Sequence, residues 1–277
     1  MAKRVGYFGP AGTYTEEAAL RYDSGAELLP YPTIAAVYQA VSEGEAEEGV
    51  VPIENSLEGS VNYTLDLLIS RSDLSIAHEI VLPIEHCLMV NPGTDISQVQ
   101  IIYSHPQSLA QCRNFLEQTF PQAQPTASLS NSAAVADMKE SRVTAAAIAP
   151  QRAAELYGAE IIDRGIQDSP NNVTRFVVLA QADHPPSGQD KTSIMFSFQE
   201  DSPGVLYEAL GVFAQRKINL AKIESRPTRE SLGRYNFLID IEGHRMEPLL
   251  QEALVALGKQ VSLLKVLGSY PRWDAQS

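Results

Sequence analysis

The pattern of apolar runs changes at residues 183–190, and that break constrains the fold more than any other feature of the chain. The stretch reads Asp-His-Pro-Pro-Ser-Gly-Gln-Asp, polar and Pro-rich with no apolar period. Such composition suits a linker between domains. Before it, short apolar strands alternate with helical segments. Residues 5–8 lead into a Gly-rich loop and a helix beginning near Tyr14, and 49–53 lead into Glu54-Asn55-Ser56 and a helix over 61–69. Residues 101–103 lead into Ser104-His105-Pro106 and a helix through Phe115, and 145–148 into a helix stopped at Gly158. This alternation predicts α/β architecture with mainly parallel sheets. After the break, 192–198 alternates polar and apolar as a half-buried strand does, and Ser202-Pro203 reads as an N-cap and first helical residue. Val205, Leu206, Ala209, Leu210, Val212 and Phe213 then share one helical face. Strands near 221–224 and 235–241, a helix over 248–257 and a strand near 261–267 complete βαββαβ, the ferredoxin-like order.

A chain of 277 residues accommodates such a division without disulfides or metals to staple it. Asp plus Glu outnumber Lys plus Arg by 34 to 21, a net charge of −13. With no basic cluster, duplex nucleic acid and anionic membranes are poor partners. A small anionic substrate stays open, because a local pocket can oppose the global charge. Cys87 and Cys112 form no CxxC pair and read as inert thiols. Gly9 and Pro10 interrupt the N-terminus before a signal-length apolar run, and no stretch is long enough to span a bilayer, so a cytoplasmic protein is expected.

The polar residues of the first domain cluster after strands, in loops that open helices. Ligands of open α/β sheets bind there, and helix N-termini there favour anions. Gly9-Pro10-Ala11-Gly12-Thr13 fits a tight turn in which Thr13 and Glu16 form a capping box; it has neither P-loop nor GxGxxG spacing. Glu54-Asn55-Ser56 is either a loop and cap or a pair of donors, Asn55 and Ser56, to a ligand. Ser104-His105-Pro106-Gln107 lacks the GxSxG elbow of a serine hydrolase, which leaves a helix cap or polar ligand contacts. His78-Glu79 and Glu85-His86 flank an apolar run, with histidines too far apart to share a helical turn; a strand pair is the first reading and metal binding the second. His184 and His244 read as solvent-facing. Arg175 is a candidate carboxylate clamp, or an ion-pair partner of Asp163 or Asp168.

Taken together these segments resemble the prephenate dehydratase family over nearly the whole chain. The resemblance rests on Gly9-Pro10-Ala11-Gly12-Thr13-Tyr14, Val51-Pro52-Ile53-Glu54-Asn55-Ser56, Ser104-His105-Pro106-Gln107, Ser130-Asn131-Ser132-Ala133-Ala134 and Asn172-Val173-Thr174-Arg175-Phe176, in the family's order. It implies a catalytic domain over 1–182 of two periplasmic-binding-protein-like (type II) lobes, about 1–79 with 165–182 and 80–164. A linker at 183–190 and an ACT regulatory domain over 191–277 follow. The chain looks like the monofunctional form, with no mutase or dehydrogenase segment attached.

The resemblance also implies the chemistry: decarboxylation and loss of water convert the dianion prephenate to phenylpyruvate, with no cofactor and no metal. Thr174 is the essential threonine, expected to hydrogen-bond the departing hydroxyl, with Asn55, Ser56, Ser104 and Gln107 beside it. Arg175 is expected to hold the pyruvyl carboxylate, with Phe176, Gly12, Thr13 and Asn172 lining the substrate site. L-Phenylalanine is the expected effector, bound between paired ACT domains of a homodimer or homotetramer. Its expected contacts are Asp201, Gly204, Val205, Leu206, Asn219, Leu220, Glu224, Ser225 and Arg226. The segment Glu224-Ser225-Arg226-Pro227 keeps the family's pattern, whereas Gly204-Val205-Leu206-Tyr207 departs from Gly-Ala-Leu-Val. Competing readings are arogenate dehydratase, the same elimination on an amino-bearing substrate, and a non-catalytic amino-acid sensor.

Overall fold

The computed structural model describes residues 2–200, 202–228 and 233–273. The chain packs as two compact units, Met1–Thr64 with Ile80–Phe176, and Leu65–Glu79 with Val177–Ser277. It begins β1 (Arg4–Phe8), α1 (Tyr14–Tyr22), β2 (Glu27–Tyr31), α2 (Ile34–Ser42), β3 (Glu48–Asn55), β4 (Gly59–Ser60), α3 (Asn62–Ser70) and β5 (Ser75–Pro83). It continues β6 (Cys87–Val90), β7 (Ile101–Ser104), α4 (Pro106–Gln111), α5 (Arg113–Thr119), β8 (Gln124–Ala127), α6 (Asn131–Glu140), β9 (Ala145–Ala149), α7 (Gln151–Tyr157) and β10 (Glu160–Arg164). After β11 (Val173–Ala180) come β12 (Asp190–Ser197), α8 (Val205–Ala214), β13 (Leu220–Pro227), β14 (Tyr235–Glu242), α9 (Pro248–Gly258) and β15 (Leu263–Pro271).

Two sheets organise the strand–helix part of the chain. One has the order β2-β1-β3-β11-β5, with β4 paired to β3; the other has the order β10-β6-β9-β7-β8. Strands β1, β2 and β3 run parallel, as do β7, β8 and β9, but β6 lies antiparallel to both β9 and β10. The second sheet is therefore mixed rather than all parallel. Its first and last strands carry the chain in and out at the same end, so they cannot both follow the parallel direction. Strand β9 is buried throughout. Ala145, Ala147 and Ala149 face Ala134, Val135 and Met138 of α6, while Ala146 and Ile148 face Cys112 and Leu116 on the other side. Burial on both faces is why this strand reads as a continuous apolar run instead of an alternating one.

The chain crosses between these sheets twice, over 84–86 and 165–172. The crossings lie side by side, with Ile84 N donating to Asn172 O at 2.8 Å and Ile166 N to His86 O at 3.2 Å. They form a two-stranded hinge between two lobes of the first unit. The helix expected to run through Phe115 breaks at Cys112, whose φ of −114° and ψ of 19° are not helical. Gly158 ends α7 in the left-handed conformation.

The C-terminal sheet has the order β13-β14-β12-β15, all neighbours antiparallel. Ile194, Phe196, Ile239 and Ile241 meet Ala209, Phe213, Leu250 and Leu257 of α8 and α9 in one core. Two local expectations are corrected. Helix α8 starts at Val205 with Gly204, at φ +96°, as its N-cap. Ser202 instead offers its carbonyl to Val205 N, so it closes the preceding turn. His244 is buried, with Nδ1 accepting from Met246 N and Nε2 meeting the His184 carbonyl. It satisfies backbone groups at a turn and does not face solvent. Among the described residues no helix is long and apolar enough to cross a membrane.

Candidate active site

A cavity of about 290 Å³ lies within the first unit, walled by strand ends, helix starts and the hinge. Phe8, Thr13 and Tyr14 come from the β1–α1 turn, Pro52, Asn55 and Val61 from around β3 and β4, and Ile84 and His86 from the hinge. His105, Gln107, Ser108 and Gln111 come from α4 and its cap, and Leu129, Ser130 and Asn131 from the start of α6. Asn172, Thr174 and Phe176 complete the wall. The sequence dictates these helix starts locally. Thr13 Oγ1 accepts from Glu16 N, Ser130 Oγ from Ala133 N and His105 Nδ1 from Gln107 N, each an N-cap bond to an otherwise orphaned amide.

No Lys, Arg, Asp or Glu is among the residues lining this cavity. Burial lowers the pKa of both lining histidines, with the Gln111 hydrogen bond opposing the shift at His86. Burial also holds the Tyr14 phenol well above its ordinary value and so protonated. The cavity is thus walled by neutral donors and by the positive ends of α1 and α6, an arrangement that favours an anion without pairing it to a fixed cation.

The hydrogen bonds within the wall have a definite polarity. Asn55 Oδ1 accepts from the backbone N–H groups of Leu57 and Glu58, both at 3.0 Å, which fixes the orientation of its amide. Asn55 Nδ2 therefore donates, to Thr174 Oγ1 at 2.9 Å and to Asn172 Oδ1 at 2.8 Å. Asn172 Nδ2 donates in turn to Gln111 Oε1 at 2.9 Å. Because Thr174 oxygen is an acceptor toward Asn55, its O–H is free to donate elsewhere, and Thr174 lines the cavity. Accepting a bond polarises that O–H and strengthens it as a donor.

The structure brings Asn55, Gln107, Thr13, Asn172, Thr174 and Phe176 to the cavity and leaves Ser56, Ser104, Gly12 and Arg175 outside its lining. Ser56 Oγ instead bridges the hinge strand, donating to Asn171 O and accepting from Val173 N. Ser104 is fully buried and donates to Ile148 O. The Gly12 amide is taken by Glu16 Oε2, so the capping carboxylate reaches one residue before Thr13. Gly12 holds φ +82°, and a Cβ there would sit 2.6 Å from Ser132 Oγ, so this turn requires glycine for its backbone and for close approach. Arg175 is placed differently from the expected clamp. Side chains alternate along β11, so Thr174 and Phe176 share the cavity face, while the Arg175 guanidinium lies 3.8 Å from Glu54. Gln111 and Leu129 line the cavity with no sequence signal to mark them, and Tyr14, His86 and Asn131 line it although their sequence segments carry no site role for them.

In the second unit, Gly204 caps α8, Val205 opens it and Leu206 packs on the core. Asn219 O accepts from Glu242 N, and Leu220 opens β13. Ser225 is exposed on β13, and Glu224 pairs with Lys222 and Arg226. Arg226 is nearly buried and donates to Asp66 at 2.7 Å. Asp201 lies outside the described residues.

The family model for prephenate dehydratase matches residues 5–184, and that for the ACT domain matches residues 192–259. The chain is 44% identical over 270 residues to the bifunctional chorismate mutase/prephenate dehydratase of Aquifex aeolicus, covering 97% of this chain and 74% of that protein. It is 39% identical over 283 residues to the prephenate dehydratase of Methanocaldococcus jannaschii, covering 99% of this chain and all of that one, 100%. The crystal structure of prephenate dehydratase from Arthrobacter aurescens in complex with L-Phe superposes with a TM-score of 0.90 at 35% identity, over 97% of this chain and 90% of that one. Two-lobed α/β architecture, a strand-end cavity walled by the Thr174 network and a ferredoxin-like C-terminal sheet accompany these similarities, and the chain belongs to the prephenate dehydratase family, with an ACT domain at its C-terminal end.

Proposed function

We propose that this chain converts prephenate to phenylpyruvate, CO2 and water, and that L-phenylalanine restrains it. The observation that carries the reading is the Thr174 hydroxyl: its oxygen is occupied by Asn55, and its hydrogen is free in a cavity without fixed charge. Loss of the ring carboxylate as CO2 leaves the bonding pair in the ring, and the ring expels the 4-hydroxyl as it becomes aromatic. Thr174 hydrogen-bonds that oxygen as negative charge grows on it, and one proton taken up from bulk solvent turns the departing hydroxide into water. The ring carboxylate loses its charge in this step, so a cation matched to it would stabilise the ground state more than the transition state. A wall of neutral donors and helix ends avoids that penalty. The pyruvyl carboxylate, which keeps its charge, is held in the same way, with Arg175 off the cavity beside Glu54.

In this reading residues 1–182 are the catalytic domain, 183–190 the linker and 191–277 the ACT domain of a cytoplasmic enzyme. L-Phenylalanine binds at the segments around Gly204–Leu206, Asn219–Leu220 and Glu224–Arg226, completed by a second chain in a homodimer or homotetramer. Support comes from β13, an edge strand whose Ile223 is 48% exposed, and from Tyr207, 81% exposed on α8. An unpaired strand edge with apolar neighbours is a surface that proteins normally cover. The test is to incubate the protein with prephenate at neutral pH and follow phenylpyruvate with and without L-phenylalanine. Turnover suppressed by L-phenylalanine is expected. Absence of turnover on prephenate overturns the reading, and a higher kcat/KM on arogenate reassigns the substrate.

A further inference from the structure

The polar chain that ends on Thr174 begins on a residue with no assigned role. His86 sits in the hinge, 1% exposed, with its backbone and both ring nitrogens engaged. Its backbone N donates to Gln167 Oε1 at 2.9 Å, from the returning hinge strand. Its Nδ1 lies 2.8 Å from the Tyr14 hydroxyl of one lobe, and its Nε2 lies 3.0 Å from Gln111 Oε1 of the other. The Tyr14 and His86 rings meet edge to face at 5.7 Å.

The polarity of the network decides which nitrogen carries the proton. Gln111 Oε1 already accepts from Asn172 Nδ2, so it must be an oxygen, and the group facing it from His86 must be an N–H. A neutral imidazole protonated at Nε2 satisfies this; its Nδ1 then shares the Tyr14 hydroxyl hydrogen with the Glu85 carbonyl, which lies 2.8 Å from the same oxygen. Burial favours the neutral ring. Without that N–H, Gln111 Oε1 keeps one donor, Asn172 Nδ2 at 2.9 Å, and Gln111 Nε2 keeps Glu58 Oε1 at 3.3 Å. Turning the amide over stays closed, because its Nε2 would face Asn172 Nδ2, donor against donor, and Asn172 is held in turn by Asn55, whose own orientation two backbone amides fix. What is lost is the bond that ties Gln111 to the hinge, and with it the anchor at the far end of the chain that runs through Asn172 and Asn55 to Thr174.

We infer that His86 is a positioning residue: its Nε2–H and its contact with Tyr14 anchor Gln111, and through Gln111 hold Asn172 and Asn55 at the spacing that leaves the Thr174 hydrogen directed at the leaving group. The inference rests on the reading of Thr174 given above. Both ring nitrogens are engaged by the protein, so His86 acts through its neighbours and not on substrate.

The test compares wild type, His86→Leu and His86→Gln in prephenate turnover. The second variant places an amide N–H near the position of Nε2. His86→Leu is expected to lower kcat by about 10²-fold with KM little changed, the scale set by misplacing a reacting group. His86→Gln is expected to recover most of the loss. Equal kcat in wild type and a folded His86→Leu variant overturns the inference, as does failure of the Gln variant to recover activity. An inactive wild type instead refutes the proposed reaction. Ring 15N shifts of His86 at neutral pH decide the network without turnover: the Nε2-protonated neutral form is expected, and the Nδ1 tautomer or an imidazolium overturns it.

Discussion

Replacing Thr174 by Val tests the central contact with the least structural change. Valine matches threonine in shape and suits a strand, so the perturbation is the loss of one hydroxyl. On the folded state, Asn55 Nδ2 loses a 2.9 Å acceptor but keeps Asn172 Oδ1 at 2.8 Å and has Val173 O within 3.3 Å as a fallback. A buried donor left wholly unpaired costs about 1–3 kcal/mol, and the fallback places this case at the low end. At about 2–4 °C per kcal/mol for a chain of this size class, Tm falls only slightly. On the reaction, the loss is one donor aimed at developing negative charge, about 10²–10³ in kcat or about 2.7–4 kcal/mol. The two effects therefore separate: the variant stays folded at 25 °C and loses most of its turnover. Thr174→Ser keeps the hydroxyl and retains most of the activity. The assay is steady-state phenylpyruvate formation alongside thermal unfolding of each variant. A folded Thr174→Val protein with near-wild-type kcat would refute the assignment of Thr174, whatever the substrate affinity.

Other outcomes follow from the same structure. Asp66→Ala removes the 2.7 Å partner of Arg226 within the second unit and leaves the 3.6 Å pairing with Glu224 in place. L-Phenylalanine inhibition is expected to weaken more than turnover, within the roughly 5–150-fold typical of allosteric coupling, and an unchanged inhibition constant counts against it. Burial pushes the Cys87 thiol up to about 11 and the Cys112 thiol up to about 12, so iodoacetamide at pH 8 is expected to label neither in the native protein and both in denaturant. The folded pKa values of His86 and His105 lie below their unfolded ones, so the unfolded chain binds more protons as pH falls below about 6.5. Their contribution to stability is complete above that pH and is lost on acidification, and a Tm as high at pH 5.5 as at pH 7.5 contradicts this. Gly12→Ala adds about 1–2 kcal/mol of left-handed backbone strain and a Cβ 2.6 Å from Ser132 Oγ, so a lowered urea midpoint is expected.

Much of the architecture is legible in the sequence because its signals are local. The apolar runs at 5–8, 49–53, 101–103 and 145–148 lie within strands β1, β3, β7 and β9, and the polar loops after them open helices. Thr13 and Ser130 need only the next turn of backbone to act as caps. The strand period also places Arg175, whose side chain must oppose those of Thr174 and Phe176 on β11.

What no local pattern carries is which distant groups meet. His86 is 72 residues from Tyr14 and 25 from Gln111, Asn55 is 119 from Thr174, and Asp66 is 160 from Arg226. Each such contact exists only because chain segments return through the hinge or across a sheet, and sequence separation says nothing of that path. Side-chain polarity is decided at the same level: an amide has two orientations and an imidazole two tautomers until its partners are in place. The sequence by itself determined that a threonine would stand near the end of a strand beside a helix-lined cleft. Only the tertiary structure decided that an asparagine would occupy its oxygen and that its side chain would line the cavity.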